Sequence, residues 1–163
     1  MADIFLMLGS NKGNKRDYLE ASFTLVAQRM GEVVSTSSYY KSQAWGMENS
    51  PFFWNRVVVL KTSRSPMQLL ESILDIESSF GRKTKSLSGI YQDREIDIDV
   101  LFYDQMIFQG VRLSIPHSLL HLRRFVLEPL CELDPQRKHP KFGLTLEELL
   151  SRCTDSLDVK RID

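Results

Sequence analysis

Residues 94–102 read Arg-Glu-Ile-Asp-Ile-Asp-Val-Leu-Phe, so charged and apolar side chains alternate along most of the segment. A period of two predicts a half-buried strand on which Asp97 and Asp99 point to the same face. Successive side chains on one face of a strand lie about 6.6–7 Å apart. Carboxylates at that spacing can share a pair of magnesium ions, which sit roughly 3.5–4 Å apart in two-metal sites. Two solvated aspartates on an exposed face would show the same pattern.

The composition is that of an ordinary globular domain. The 163 residues are 42% hydrophobic and 26% charged, with zero formal net charge, and they predict one domain over residues 1–163. The charge balance argues against a nucleic-acid partner. No apolar run approaches the roughly 20 residues that cross a bilayer, and no signal peptide is visible, so we expect no membrane partner and a cytoplasmic location. Cys131 and Cys153 lack metal-ligand spacing and predict two ordinary thiols.

The order of predicted elements is β-α-β-β-α-β. Strands are predicted at residues 4–8, 32–40, 52–61 and around the two aspartates, with Gly9 ending the first of them. Helices are predicted through residues 19–30 and 66–80, the second opened by a capping box at Ser65. This order predicts an α+β fold with a ferredoxin-like βαββαβ core. Strand pieces near residues 106–108 and 112–115, and helices at 125–133 and after Thr145, predict a C-terminal strand/helix extension and a three-layer α-β-α arrangement.

A basic loop precedes the aspartate strand. Arg82, Lys83, Lys85 and Arg94 lie in or beside a polar segment with little periodicity. Guanidinium groups pair bidentately with phosphate oxygens, so the loop can close over a polyphosphate. A solvated basic loop remains the alternative. The chain has no Walker A loop, so any nucleotide must be held by other means.

A second group of residues suits a flat heterocycle. Phe53 and Phe125 can enclose a ring between their faces, and Asn55, on the same strand face as Phe53, can read the edge of that ring. For either aromatic alone, core packing explains the residue as well. His117 can bond a phosphate or a ribose, or can serve as a cap. His121 and His139 show no partner in the sequence and are predicted at the surface.

Taken together, these motifs resemble the 6-hydroxymethyl-7,8-dihydropterin pyrophosphokinase (2-amino-4-hydroxy-6-hydroxymethyldihydropteridine diphosphokinase) family of folate biosynthesis. The resemblance covers most of the chain and depends on the joint order and spacing of short motifs. In chain order they are Leu8-Gly9-Ser10-Asn11, Ser38-Tyr39-Tyr40-Lys41-Ser42, Phe53-Trp54-Asn55, Ile76-Glu77 with Gly81-Arg82, Arg94-x-x-Asp97-Ile98-Asp99-Val100-Leu101, Ile115-Pro116-His117, Arg123 with Phe125, and Leu127-Glu128-Pro129-Leu130.

The resemblance implies an ATP-dependent enzyme that transfers pyrophosphate to the pterin hydroxymethyl group and releases AMP. It implies a monomer that acts on these two small molecules with two magnesium ions, held by Asp97 and Asp99. The implied catalytic residues are Arg82, Arg94, Asp97 and Asp99. The implied ATP-binding residues are Leu70, Glu77, Arg82, Arg94, Val100, Arg112, Ser114, His117 and Arg123. The implied pterin-binding residues are Ser42, Ala44, Trp45, Phe53, Asn55, Asp97 and Phe125.

Two other functions remain open at this point. One is a non-catalytic module that binds a nucleotide or a pterin with weakened chemistry. Its support is the pair Gln92-Asp93 beside Arg94, because an acid there can draw the arginine away from phosphate. The other is an ordinary phosphotransferase that makes ADP.

Overall fold

The computed structural model of the chain describes residues 1–43, 51–81 and 95–162. The strands are β1 (Ala2–Ser10), β2 (Glu32–Thr36), β3 (Tyr40–Ser42), β4 (Phe53–Thr62), β5 (Asp97–Tyr103), β6 (Phe108–Gln109), β7 (Ser114–Ile115) and β8 (Val159–Arg161). The helices are α1 (Lys15–Arg29), α2 (Pro66–Ser79), α3 (Arg124–Leu133) and α4 (Leu146–Arg152), with a 3-10 turn at Leu120–Leu122.

The main sheet is antiparallel and confirms the predicted core. Its order is β5-β1-β4-β3-β8, and β2 also pairs with β4, beyond the end of β3. The elements β1, α1, β2 with β3, β4, α2 and β5 form the βαββαβ order of a ferredoxin-like domain. The strand β8, which the sequence did not predict, extends this sheet by pairing with β3.

The strand predicted at residues 32–40 is divided into β2 and β3. At the break, Ser37 donates its backbone N–H to the Val57 carbonyl oxygen at 2.9 Å. The Ser37 Oγ accepts the Val57 N–H at 2.9 Å, in place of a backbone carbonyl. The Ser37 carbonyl instead accepts the Arg56 Nε–H at 3.1 Å. The side chain therefore takes over one ladder bond and ends the first strand.

Helices cover both faces of the sheet and make the three predicted layers. The α1/α2 face, named for its helices, carries one core; its strand residues include Ile4, Leu6 and Leu8 of β1 and Val58 and Leu60 of β4. The α3/α4 face carries the other; its strand residues include Phe5 and Met7 of β1 and Val57 and Val59 of β4. Because β1 is buried on both faces, its sequence is an almost continuous apolar run.

The predicted caps are present, and one cap comes from a distant segment. Ser65 and Gln68 form the capping box that opens α2, and Thr145 and Glu148 form the one that opens α4. The N-terminus of α3 has no local side-chain cap. Asp155 supplies it, because its Oδ2 accepts the Arg124 N–H at 3.1 Å. This contact joins residues 31 positions apart, so no local sequence pattern predicts it.

The predicted surface position of His139 is wrong. Its side chain is only 2% exposed and stacks on Phe142, with ring centroids 4.4 Å apart. His121 is half-buried and lies 6.3 Å from His139, measured between ring centroids. Burial, with smaller contributions from His121 and Lys141, lowers the pKa of His139 to about 4. None of the helices in the described ranges is long and apolar enough to cross a bilayer.

Candidate active site

The carboxylates of β5 occupy the α3/α4 face, as their spacing predicted. Asp97 lies opposite Gly9 and Asp99 lies opposite Met7, which belongs to the core of that face. Both aspartates are half-buried, whereas the intervening Ile98 is fully buried on the other face. The strand therefore presents two accessible carboxylates beside an apolar core.

Gly9 allows the Asn55 side chain to approach β1 closely, within a row of residues that we call the polar floor. Antiparallel pairing places Asp97, Gly9, Asn55 and Tyr40 in one row across four neighbouring strands. A Cβ atom on Gly9 would lie 2.8 Å from Asn55 Oδ1 and 3.6 Å from Phe53 Cδ1. Glycine in a strand interior marks such a close approach. The predicted strand end at Gly9 is therefore wrong: β1 continues to Ser10, and the glycine provides space.

The side chain of Asn55 is fixed within this floor. The residue is 3% exposed, and its Nδ2 donates to Ser42 Oγ at 3.0 Å. Phe53 lies on the same strand face and is half-buried. Phe125 is half-buried on α3, against the core of the α3/α4 face. The floor therefore combines the Asn55 amide and the Ser42 hydroxyl with two aromatic rings, Phe53 on β4 and Phe125 on α3.

A cavity of about 270 Å³ opens at the β5 edge of the sheet. The segment after β6 runs along this edge, where the His117 N–H donates to the Leu101 carbonyl oxygen at 3.1 Å. Six residues of the predicted site line the cavity: Leu70, Asp99, Val100, Arg112, Ser114 and His117. The wall is apolar on the α2 side and polar on the side of residues 112–118, which suits a flat base attached to a sugar and phosphates.

Three of the predicted nucleotide residues make well-defined internal contacts. His117 Nδ1 accepts the Leu119 N–H at 3.2 Å, so in the neutral ring the proton is on Nε2. Glu77 is 2% exposed, and its Oε2 accepts the Ile98 N–H at 2.9 Å. The Glu77 carboxylate thus accepts a hydrogen bond from a backbone N–H at the edge of β5, behind the cavity wall. Arg123 is 8% exposed, with its guanidinium carbon 5.5 Å from the centroid of the Phe125 ring.

Four of the predicted site residues lie outside the described residues: Ala44, Trp45, Arg82 and Arg94. The loop predicted around Lys83 and Lys85 and the pair Gln92-Asp93 also lie there. Within the described ranges, the predicted residues form two adjoining groups. One is the polar floor on the α3/α4 face, and the other is the edge cavity. Asp97 belongs to the floor and Asp99 lines the cavity, so β5 joins the two groups.

The comparisons with known proteins agree on one family. A family model described as 7,8-dihydro-6-hydroxymethylpterin-pyrophosphokinase matches residues 5–135. A protein named 2-amino-4-hydroxy-6-hydroxymethyldihydropteridine pyrophosphokinase from Aquifex aeolicus is 37% identical over 148 residues, which cover 91% of this chain and 90% of that protein. The protein of the same name from Haemophilus influenzae is 33% identical over 161 residues and covers 98% of each chain.

Solved structures show the same fold. A crystal structure of Plasmodium falciparum HPPK-DHPS, the A437G form with SDX-DHP, matches with a TM-score of 0.74 at 18% sequence identity. The match covers 93% of this chain and 45% of that one, so this chain spans less than half the length of its solved relative. The family model and the sequence identities show that the chain belongs to the 7,8-dihydro-6-hydroxymethylpterin-pyrophosphokinase family, and the fold and the floor-and-cavity arrangement agree with this.

Proposed function

We propose that this site transfers pyrophosphate from ATP to 6-hydroxymethyl-7,8-dihydropterin, producing AMP and the pterin diphosphate for folate synthesis. The observation that carries the proposal is the position of β5 between two binding regions. Asp97 borders the polar floor, and Asp99 borders the edge cavity. Two substrates bound in these regions would bring their reacting groups to the same pair of carboxylates.

The edge cavity is proposed to hold ATP. Leu70 and Val100 would pack on the adenosine, while Glu77 supports the wall through its bond to Ile98. A second set would contact the sugar and phosphates from the outer wall and from the loop: Arg82, Arg94, Arg112, Ser114, His117 and Arg123. Guanidinium forks match the geometry of phosphate oxygens, which favours arginine at such positions.

The polar floor is proposed to hold the pterin. Phe53 and Phe125 would pack against the two faces of the ring, because aromatic faces bind a flat heterocycle well. Asn55 and groups near Ser42, Ala44 and Trp45 would read its edge. Asn55 is already oriented by its bond to Ser42, so little side-chain entropy is lost on binding.

The residues at the end of β5 fit magnesium. Magnesium binds through one or two carboxylates together with waters and substrate phosphates, which is the donor set that Asp97 and Asp99 can complete. Two ions held there would neutralise the charge of the phosphates. The chain's own residues would align the pterin hydroxyl with the β-phosphorus, so catalysis is mainly positioning and electrostatics.

We further propose that the domain works as a cytoplasmic monomer. On one side the sheet ends in the three-residue β8, which carries Lys160 and Arg161. On the other side, Glu77 and the His117 segment cover backbone groups of β5. Short, charged or covered edges limit pairing between copies. Cys131 and Cys153 are free thiols, which suits a reducing compartment.

One assay tests the reaction. The protein is incubated with magnesium, ATP and 6-hydroxymethyl-7,8-dihydropterin, and the nucleotide product is identified by chromatography. AMP that forms only when the pterin is present supports the proposal. ADP would instead indicate transfer of a single phosphoryl group, and binding of both substrates without turnover would indicate a non-catalytic module.

A further inference from the structure

Two adjacent tyrosines fasten a helix to each face of the sheet. The Tyr39 hydroxyl bonds to Glu20 of α1, and the Tyr40 hydroxyl bonds to Glu132 of α3. Successive residues of an extended chain point to opposite faces, which explains why neighbours reach opposite layers. Both tyrosines are buried, at 4% and 6% exposure. The two contacts have the same chemistry but lie on different sides of the molecule.

The contact on the α3/α4 face is more extensive than one bond. Glu132 Oε1 accepts the Tyr40 hydroxyl at 2.7 Å, and Glu132 Oε2 accepts the Ser38 N–H at 3.0 Å and the Ser38 hydroxyl at 3.3 Å. Burial, followed by the bond to Glu132, raises the pKa of Tyr40, so its hydroxyl stays protonated as a donor. Together these bonds attach the last turn of α3 to Tyr40 of β3 and to Ser38, two residues before that strand.

The same helix carries Phe125 near its other end. Phe125 and Glu132 are seven residues apart, so they share one face of α3. Asp155 holds the first turn through the Arg124 N–H, and its carbonyl oxygen accepts the Arg124 Nε–H at 3.0 Å. Tyr40 stands in the same row as Asn55 of the polar floor. Glu132 therefore links α3, which carries Phe125, to β3, which pairs with the strand that carries Phe53.

We propose that Tyr40 and Glu132 are positioning residues for the pterin, because their bond sets the separation between Phe125 on α3 and Phe53 on β4. This inference rests on the proposed function, in which those two rings enclose the pterin. Neither positioning residue needs to touch the substrate. Loss of the bond lets α3 shift relative to β3, which weakens pterin binding more than ATP binding, because Arg123 is the only proposed ATP contact at the start of α3.

The first test removes only the hydroxyl. Tyr40→Phe is expected to raise the KM for the pterin about 3- to 10-fold, the scale of one lost hydrogen bond, with a smaller change in the KM for ATP. The matched control is Tyr39→Phe, which removes the same group on the α1/α2 face and should leave both KM values unchanged. Glu132→Gln keeps one acceptor for Tyr40 but turns an amide NH2 toward the Ser38 N–H, so it should raise the pterin KM less than Glu132→Ala, which should behave like Tyr40→Phe or worse.

The second test asks whether the effect passes through Phe125. In a Phe125→Ala background, adding Tyr40→Phe should change the pterin KM no further. The inference is overturned if Tyr40→Phe raises both KM values equally, if it matches Tyr39→Phe, or if its effect persists in full without Phe125. If Phe125→Ala itself leaves the pterin KM unchanged, the assignment of the pterin site fails first.

Discussion

The two faces of the sheet are alike along most of β1 and differ at its end. Ile4, Leu6 and Leu8 enter the core of the α1/α2 face, whereas Phe5 and Met7 enter the core of the α3/α4 face. The next residue on that second face is Gly9, opposite Asp97 and Asn55. The α1/α2 face of β1 is apolar as far as Leu8, whereas the α3/α4 face is apolar only as far as Met7 and then becomes polar.

This difference shows where binding capacity comes from in a small domain. A buried Leu-sized side chain contributes about 1.5–3 kcal/mol relative to an exposed one, so replacing one by glycine gives up folding free energy. The Asn55 amide occupies the space above the glycine, and the polar surface that results can bind a ligand. The α1/α2 face keeps its full core and supports the strands from behind. The proposed pterin floor therefore lies at the end of the α3/α4 face, whereas the edge cavity is lined in part by Ile73, Ile98 and Val100 of the α1/α2 core.

The largest effect is expected on β5, where neighbouring residues serve opposite faces. Asp97→Ala and Asp99→Ala should each lower turnover about 10³-fold or more, because each removes a carboxylate that would hold the metal ions and thereby stabilise phosphate charge. Both variants should stay folded, since both aspartates are half-buried rather than core residues. The measurement is kcat, with a denaturation curve for each variant.

Ile96→Val is the matched change for the opposite face. Ile96 is 1% exposed in the core of the α1/α2 face, so the variant should lose about 0.5–1.5 kcal/mol of stability and retain turnover. Turnover near that of wild type in both aspartate variants would remove β5 from the proposed mechanism. A large loss of turnover in Ile96→Val would show that the faces are not separable.

Acid should weaken the α3/α4 face first. The pKa of His139 falls from 6.5 to about 4 in the folded state, mainly through burial. Between these pH values the unfolded chain binds more protons, so the free energy of unfolding decreases as the pH falls through that window. The loss should reach about 3 kcal/mol near pH 4 and be absent above pH 7.

Urea denaturation at pH 7.5 and 4.5 measures this linkage, with His139→Asn as the comparison. Asn retains an acceptor where His139 Nδ1 receives the Lys141 N–H at 3.2 Å, but it does not titrate. The variant should therefore lose less stability than wild type between the two pH values. Hydrogen exchange at pH 4.5 should show α4 opening before α1; simultaneous opening would argue against a local effect.

A smaller effect is expected from filling the floor. In Gly9→Ala the new methyl group would collide with Asn55 Oδ1, so the amide must move and the pterin KM should rise about 10-fold. The KM for ATP should stay within twofold. Gly143→Ala is the control, because its φ of +69° makes it a conformational glycine with open space around it. That variant should lose about 1 kcal/mol of stability without a change in either KM.

The smallest effect concerns the caps that begin one helix on each face. Ser65→Ala at α2 and Thr145→Ala at α4 should each cost about 1 kcal/mol in urea denaturation, because each removes an acceptor for a backbone N–H of the first turn. Neither change should alter the pterin KM by more than the experimental error. A much larger loss for one of them would show that the two helical layers are unequally anchored.

The elements predicted well from sequence are those whose signal is local. A continuous apolar run located β1, alternating patterns located β4 and β5, and the capping boxes located the starts of α2 and α4. The same period placed Asp97 and Asp99 on one face. These features need only neighbouring residues, so one chain segment contains the whole signal.

The features that were missed depend on distant partners. β8 is a strand because it pairs with β3, more than a hundred residues earlier in the chain. Ser37 ends β2 by bonding to Val57, and the buried His139 packs against Phe102, which lies 37 positions earlier in the chain. The role of Gly9 appears only when Asn55 is placed opposite it. In each case, the residue type fits several environments and the tertiary contact selects one.

The two tyrosines also have a consequence for how the chain finds its alignment. β3 has only three residues, so its ladder with β4 discriminates weakly between neighbouring alignments. A shift by one position would turn Ser42 away from Asn55 and move both hydroxyls to the wrong layers. The hydrogen bonds to Glu20 of α1 and Glu132 of α3, one on each face of the sheet, thus favour a single alignment of this very short strand. An inserted residue between Tyr40 and Ser42 should therefore turn Ser42 away from Asn55, and urea denaturation would measure the resulting loss of stability.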